Sequence, residues 1–291
     1  MIHIKDPEEA AGYYDKCISI SPNGLVYALS WYMNILCPDW EILVTEDHTT
    51  VMPLPVSRYL GRKILRQPDY AWQLGVYSTM IPSPEVIQHF IRSIPSTYRL
   101  RKLCLSKFNI LPNSQTRLLS STELDLIQPY RILKSRYGPS MQNRLAMAEK
   151  QSLSHVDNVS VHEMLMFAYR LDKFNRSRLK PREISTLRMI ATNAIRFRCG
   201  QISAAYDSNN NLCATVMFLI FKGRACVLHA AASGEGLARG GIELIIDRFI
   251  RSHAEENLVL CVDNPSDRKL MDILKSCGSG VSNYPCLKHL G

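Results

Sequence analysis

The most informative segment of the chain reads VLHAAASGEGLARGGI and occupies residues 227–242. Its first part is apolar and typical of a buried strand, and a glycine-rich turn, SGEG, follows. The turn leads into a predicted helix over Gly240–His253 with an apolar stripe. Glycines let backbone N–H groups approach an anion, and a helix N-terminus adds unpaired donors. The segment therefore predicts either a phosphate-binding turn or a tight turn that needs glycines for its own packing.

The second half of the chain surrounds this segment with alternating helices and strands. Two amphipathic helices are predicted over Val161–Lys173 and Pro181–Phe197, because apolar residues recur there at helical spacing. A three-strand meander follows, with its turns at residues 207–211 and 222–223. The meander strands are Gln201–Tyr206, Leu212–Phe221 and Ala225–Ala232. After the central helix, the predicted elements are the strand Leu258–Val262, the helix Pro265–Ser276 and the strand Tyr284–Leu290.

The first half follows a related order. Helices are predicted over Asp6–Cys17 and Leu25–Leu36, then a hairpin around residues 46–48, a helix from Pro84 to Ile94 and a strand over Tyr98–Leu105. Because both halves begin with paired helices and a meander, we predict an internal duplication. The expected organisation is a first domain over 1–125, a helical connector over 126–154 and a second domain over 155–291. One mixed α+β domain with insertions is the alternative.

Composition narrows the class of protein. The 291 residues have ordinary globular composition, and no apolar run approaches the length of a membrane span. The nine cysteines are odd in number and form no C-x-x-C pair, which favours reduced, buried thiols in a cytoplasmic protein. The eight histidines show no metal-ligand spacing, so no metal site is expected.

The net charge of +9 indicates a preference for anionic partners. Nine Lys and Arg residues lie between Arg170 and Arg198, against the two acids Asp172 and Glu183. Such a run favours nucleic acid, a phosphorylated cofactor or an anionic membrane face, and a solvated pair of helices is the alternative. If the run binds RNA, the contacts are expected from Arg170, Arg176, Arg178, Lys180 and Arg182.

The predicted order α-α-β-β-β-α-β-α-β, with an R-x-x-G-x-G/A-like turn before the central helix, resembles the GNAT acyltransferase fold. Two such copies joined by a basic helical connector, Tyr137 to Lys150, are similar to FemAB-type and related bacterial tandem-GNAT proteins. Further similar stretches are YALSWY (27–32), PDW (38–40), MPL (52–54) and QLGVY (73–77). The resemblance implies an α+β protein of two tandem GNAT-like domains, each a mixed, mostly antiparallel sheet flanked by helices.

The resemblance also implies a donor site. In GNAT proteins the acyl-CoA pyrophosphate lies on the loop before the central helix, and an asparagine after the next strand lies beside the thiol. In FemAB-type enzymes the donor is an aminoacyl-tRNA and the acceptor is an amine of a peptidoglycan precursor. Acyl-CoA or aminoacyl-tRNA is thus an expected co-substrate, with no tightly bound cofactor, and tRNA is an expected partner. The implied donor-binding residues are Gly234, Gly236, Arg239, Gly240, Gly241 and Asn264.

Two residues near the end of the chain are candidate catalytic groups. Asp263 is predicted to hold or deprotonate the acceptor amine, and a strand-end aspartate that caps the next helix is the alternative. Tyr284 is predicted to protonate the leaving group, and a half-buried strand tyrosine is the alternative. Cys261 and His229 lie in apolar strands and are interpreted as a structural thiol and a satisfied core histidine.

The chain also departs from the family pattern. Arg239 directly precedes Gly240-Gly241, and Leu274 stands where a proton-donating tyrosine is common. CVDNPS at 261–266 replaces the D-F-E-G-S of FemAB-like relatives. The predicted function is acyl or aminoacyl transfer to an amine by direct attack. The alternative is a decayed transferase that binds a nucleotide, RNA or another ligand without catalysis.

Overall fold

The computed structural model describes residues 1–111, 116–172 and 180–287. The chain divides into two compact units. The first comprises Met1–Ser121 together with the chain from Ser282 onward, and the second comprises Thr122–Val281. The connector expected at 126–154 therefore belongs to the second unit, and most of the last strand belongs to the first. The predicted domain limits are corrected at both places.

The first unit begins with a strand and two helices, and capping residues set the start of the first helix. Asp6 accepts a hydrogen bond from the Glu8 N–H, with Pro7 in the first turn, so the first helix begins at Pro7. The second predicted helix is interrupted because Leu29 is extended. The described elements are β1 Ile2–Lys5, α1 Pro7–Ile20, a 3-10 turn Val26–Ala28, α2 Ser30–Leu36, β2 Glu41–Thr45, β3 Thr50–Leu54, β4 Val56–Tyr59, β5 Arg62–Arg66, β6 Tyr77–Ser78, α3 Pro84–Arg92 and β7 Arg99–Cys104.

The second unit confirms the predicted order of helices and strands and adds a short helix in the glycine-rich segment. Two strands, the first and last below, cross from one unit to the other. The elements are β8 Thr116–Asp125, α4 Tyr130–Ser135, α5 Pro139–Lys150, β9 Ser154–Asp157, α6 Val161–Asp172, α7 Pro181–Arg196, β10 Gly200–Tyr206, β11 Leu212–Phe221, β12 Arg224–Ala232, α8 Gly234–Arg239, α9 Gly241–Ser252, β13 Val259–Val262, α10 Arg268–Ser276 and β14 Gly280–Leu287.

Sheet pairing confirms the duplication. In the first unit, β1, β2, β3 and β6 pair antiparallel in that order, and Leu74 forms a parallel bridge with Leu105 just beyond β7. In the second unit, β9, β10, β11 and β12 pair antiparallel, and β13 then adds in parallel. Both units thus run from an antiparallel meander, through a helix, to a parallel neighbour. The β4–β5 hairpin interrupts the order in the first unit alone.

The core of the second unit lies between its sheet and α9. The apolar face of α9 is buried, and Phe249 stacks on Phe218 of β11 with ring centroids 4.0 Å apart. Asp247, on the same helix, is 5% exposed and accepts hydrogen bonds from the hydroxyls of Tyr130 and Tyr137. Each large apolar side chain buried here contributes about 1.5–3 kcal/mol. The two tyrosines attach the expected connector to α9, which explains why it is part of this unit.

No helix among the described residues is long and apolar enough to cross a membrane.

Candidate functional site

The parallel neighbours β12 and β13 pair over only part of their length. Arg224–Cys226 pairs with Val259–Cys261, whereas β12 pairs with β11 as far as Ala232. Beyond Cys226, the edge of β12 that faces β13 therefore has no strand partner among the described residues. Unpaired N–H and C=O groups along an extended strand can hold an extended ligand by main-chain hydrogen bonds.

A β-bulge lies next to this split. Val227 pairs with Phe218 and His229 pairs with Met217, so Leu228 is an extra residue in β12. Bulges change the direction in which nearby side chains point. Ala230 packs against the core on the α9 side, so its neighbour His229 projects from the opposite face of the sheet.

His229 carries a proton-accepting group without a partner. Its Nε2 atom is inaccessible to solvent and has no hydrogen-bond partner among the described residues, although the residue as a whole is partly exposed. Burial lowers the pKa of His229 to about 4, so the imidazole is neutral at pH 7. The interpretation of a satisfied core histidine is therefore wrong. A lone histidine in the apolar run before the glycine-rich segment was the available sequence signal.

His229 makes stability depend on pH in a defined direction. Its pKa of about 4 lies below the ordinary value of 6.5, so the unfolded chain binds the proton more readily than the folded one. The free energy of unfolding is expected to fall by about 2–3 kcal/mol as the pH drops from 6.5 to 4. Urea unfolding at both pH values checks this, and His229→Leu is expected to lose that part of the dependence. An unchanged pH dependence in His229→Leu would contradict it.

Asp263 lies at the end of β13 but is occupied by an ion pair. It is 1% exposed, and its carboxylate lies 3.3 Å from Nη2 of Arg224. Nη1 of the same guanidinium donates to Glu123 at 3.0 Å. The alternative role as a helix cap is wrong, because Asp267 caps α10 by accepting from the Leu270 N–H. Its predicted role with an acceptor amine remains a prediction. In the structure, the carboxylate of Asp263 is paired with Arg224.

Two thiols lie beside this ion pair. One ligand atom each of Cys226, Cys261 and Asp263 lies within 4.8 Å of the others, and all three residues are buried. A hydrogen bond with Cys226, together with burial, raises the pKa of the Cys261 thiol well above its usual value. Metal binding requires deprotonated thiols, and Arg224 already neutralises Asp263. We therefore interpret the cluster as structural.

The glycine-rich segment is a packed helix junction. Ser233 caps α8 by accepting from the Gly236 N–H at 3.0 Å. A Cβ at Gly236 would collide with the Cys213 carbonyl, and a Cβ at Gly240, whose φ is +78°, would collide with that of Arg144. Internal packing therefore requires glycine at these two positions, as the alternative of a tight turn predicts, and phosphate binding by the turn remains a prediction. Gly234 alone has free space where a Cβ would lie, and the Cβ position of Gly241 is 3.0 Å from the Cβ of Ala214.

Charged groups at the junction also have partners within the second unit. Arg144 donates to the carbonyls of Leu237 and Ala238, and its Nε lies 3.8 Å from Glu243. Arg239 lies 3.7 Å from Asp207 and 3.4 Å from Glu235, rather than facing an open anion site. Glu243 also places a carboxyl in the first turn of α9, where a phosphate was expected. The predicted donor-binding role of these residues remains a prediction.

The two remaining predicted site residues, Asn264 and Tyr284, belong to different units and have different surroundings. Asn264 accepts a hydrogen bond from the Ser266 N–H at 3.0 Å, which closes a local turn. Tyr284 lies in the first unit and is 1% exposed, in a small cluster with Cys104 and Cys286. It is buried more completely than the half-buried strand tyrosine of the alternative interpretation.

The basic helices present their charges to solvent. Arg170, Lys180 and Arg182 are exposed, whereas Arg176 and Arg178 lie outside the described residues. The buried stripe of α7, which includes Leu187, Ile190, Ala191 and Ala194, confirms the predicted amphipathic helix. RNA binding by this run remains a prediction.

Comparisons with known proteins identify the fold. No protein-family model matches the sequence, and no curated protein is significantly similar to it. The structure is similar to that of FemX, with a TM-score of 0.60 at 10% identity over 98% of this chain and 96% of that one. A conserved protein of unknown function from Bacteroides thetaiotaomicron gives 0.58 at 12% identity, covering 99% and 100%. L-PGS from Bacillus licheniformis gives 0.54 at 7% identity, covering 98% and 93%.

Similarity at these identities establishes the fold alone. The α+β chain therefore has the two-domain, GNAT-type layout of the FemX-like structures.

Proposed function

We propose that the protein transfers an acyl or aminoacyl group to an amine by direct attack at the split between β12 and β13. The observation that carries the proposal is the position of His229. Its unpartnered Nε2 lies next to a strand edge whose N–H groups have no strand partner among the described residues. A donor arm that extends along this edge would place its carbonyl where those N–H groups polarise it.

The reaction needs only positioning and one proton acceptor. The amine nitrogen attacks the donor carbonyl carbon, a C–N bond forms, and the C–S bond of a thioester or the C–O bond of an ester breaks. The amine becomes acidic as it attacks, so neutral His229 takes its proton at Nε2 and passes it to the leaving sulfur or oxygen. No covalent intermediate with the protein is required.

An aminoacyl ester is the favoured donor. The junction of α8 and α9 is packed by Arg144, and Glu243 places a carboxyl at the start of α9. This arrangement opposes a pyrophosphate there, because like charges repel at a helix N-terminus that would otherwise attract anions. An aminoacyl-tRNA needs only its ester arm at the split, so it is compatible with the packed junction.

The second candidate function is ligand binding without catalysis. Leu274, at the position where the family resemblance implies a proton-donating tyrosine, is 1% exposed and belongs to the core. Asp263 is paired with Arg224 as well. These two observations favour a decayed transferase that retains only its binding surface.

Thermal stability and turnover with matched donors distinguish these functions. Aminoacyl-tRNA at 100 times its Kd is expected to stabilise the protein by about 2.7 kcal/mol, which raises the Tm by several degrees. Acetyl-CoA and longer acyl-CoAs are compared in parallel, with deacylated tRNA as the control. Release of free tRNA or free thiol that depends on an added amine supports the enzyme. Stabilisation without turnover supports the binding protein, and no response to any donor contradicts both.

A further inference from the structure

A cationic sheet face in the first unit is not used by the proposed reaction. The strands β4, β5 and β7 pair in that order, with Ser57 opposite Ile64 and Ile64 opposite Arg99. Their inner face carries core residues such as Val56, Leu65 and Leu100. Because side chains alternate along a strand, the outer face is fixed by this register. The outer face carries Ser57, Tyr59, Arg62, Ile64, Arg66, Arg99, Arg101 and Lys102.

A β-bulge concentrates charge at one end of this face. Leu65 pairs with Leu100 and Arg66 pairs with Lys102, so Arg101 is an extra residue in β7. Without the bulge, Arg101 and Lys102 would point to opposite faces. With it, both line the same groove of about 580 Å³ together with Arg66, and Arg58, which the register places on the other face of β4, borders the groove.

The cations of this groove are free to meet a ligand. Arg58, Arg66, Arg101 and Lys102 are exposed, and none of them forms an ion pair within the described residues. Asp69 is the one acid among the residues that line the groove. The four cations and one acid leave the lining with an excess of positive charge, which attracts a polyanion.

The floor of the groove is held by a buried amide. Gln67 is 8% exposed, and its Oε1 accepts from the Cys104 N–H at 2.9 Å. Its side-chain amide donates to the Ala71 carbonyl, and its backbone N–H donates to the Lys102 carbonyl at 2.8 Å. The strand ends that carry the cations are therefore fixed relative to each other.

Tyr59 adds an aromatic surface beside the cations. It is 66% exposed and faces outward across from Arg62. An open, extended face that combines unpaired Arg and Lys side chains with an exposed ring suits phosphates and unstacked bases. We infer that the outer face of β4, β5 and β7 binds a single-stranded polynucleotide. Phosphates contact the cations, and a base stacks on Tyr59.

Binding of a labelled twelve-residue oligouridylate tests the inference without any acyl donor or amine. Fluorescence anisotropy over a range of salt concentrations is expected to give a slope of log affinity against log salt of about −3, at about −0.7 for each of four to five contacts. The triple variant Arg66→Gln, Arg101→Gln, Lys102→Gln is expected to make the slope shallower by about 2. The triple variant Arg131→Gln, Arg268→Gln, Lys269→Gln replaces three exposed cations of the second unit, removes the same charge and is expected to leave the slope unchanged.

Further arms separate stacking from plain charge attraction. Tyr59→Leu is expected to weaken binding fivefold or more, and Tyr59→Phe is expected to stay within about twofold of the wild type. Equal effects of the two triple variants would overturn the inference. So would equal affinity for a duplex of the same length, or competition by uridine monophosphate at the concentration of oligomer phosphate. The His229→Gln variant is expected to bind the oligomer as tightly as the wild type. If the oligomer does not bind the wild-type protein, the inference about this face fails, and the proposed reaction at His229 is not affected.

Discussion

A His229→Gln variant is expected to transfer the acyl group about 10²–10⁴-fold more slowly than the wild-type protein. Glutamine keeps a polar atom near the Nε2 position and has a similar length, but it cannot take up the proton of the attacking amine. The measurement is the turnover rate with the donor and amine that prove active, alongside the affinity for the donor. We expect the affinity to change little, because in the proposed reaction the main-chain edge of β12, and not the His229 side chain, holds the donor.

His162→Gln is the matched control for this variant. His162 is exposed on α6 in the same unit, so its replacement changes the same chemical group without touching the split. Its turnover rate is expected to equal that of the wild type. A His229→Gln protein that is folded and fully active would show that another group accepts the proton.

An Arg224→Met variant is expected to lower the free energy of unfolding by about 3–5 kcal/mol. The guanidinium lies between Glu123 and Asp263, and its side chain is 12% exposed. Methionine fills most of the volume but removes the ion pair of the buried Asp263 carboxylate with Arg224. Urea unfolding at pH 7, followed by circular dichroism, measures the loss.

Two further variants test whether that loss of stability comes from the buried ion pair. Lys275→Met breaks the exposed pair with Asp272, and it is expected to change stability by less than about 0.5 kcal/mol. Adding Asp263→Asn to Arg224→Met removes the buried charge and is expected to recover part of the stability. If Arg224→Met costs no more than Lys275→Met, the buried pair does not stabilise the second unit.

Local signals predicted the meander well. The strand Leu212–Phe221 has the predicted bounds, because an apolar run between an Asn-rich turn and a Lys-Gly turn is typical of a single buried strand. Strand β6 has two residues, and its pairing with β3 leaves no pattern in the sequence. Leu29 interrupted a predicted helix through its backbone conformation, which apolar spacing does not report.

The candidate site was harder to predict because it depends on distant contacts. Arg224 meets Glu123 from 101 residues away and Asp263 from 39 residues away, through pairing between strands. The glycines before α9 had two explanations that only the positions of Cys213 and Arg144 distinguish. The missing partner of His229 is likewise a property of packing, since sequence alone does not show which polar atoms stay unpaired.

The path of β14 has a consequence for synthesis on the ribosome. Cys286 of β14 lies across from Cys104 of β7, 182 residues earlier in the chain. The second unit is contiguous and can fold as soon as it has emerged from the ribosome. Strand β7 cannot pair with β14 until the residues beyond Ser282 have been synthesised. During this interval a nascent chain exposes an unpaired edge with buried-type residues such as Leu103, which favours misassociation and chaperone binding. Completion of the first unit is therefore tied to translation of residues beyond Ser282 rather than to its own early synthesis.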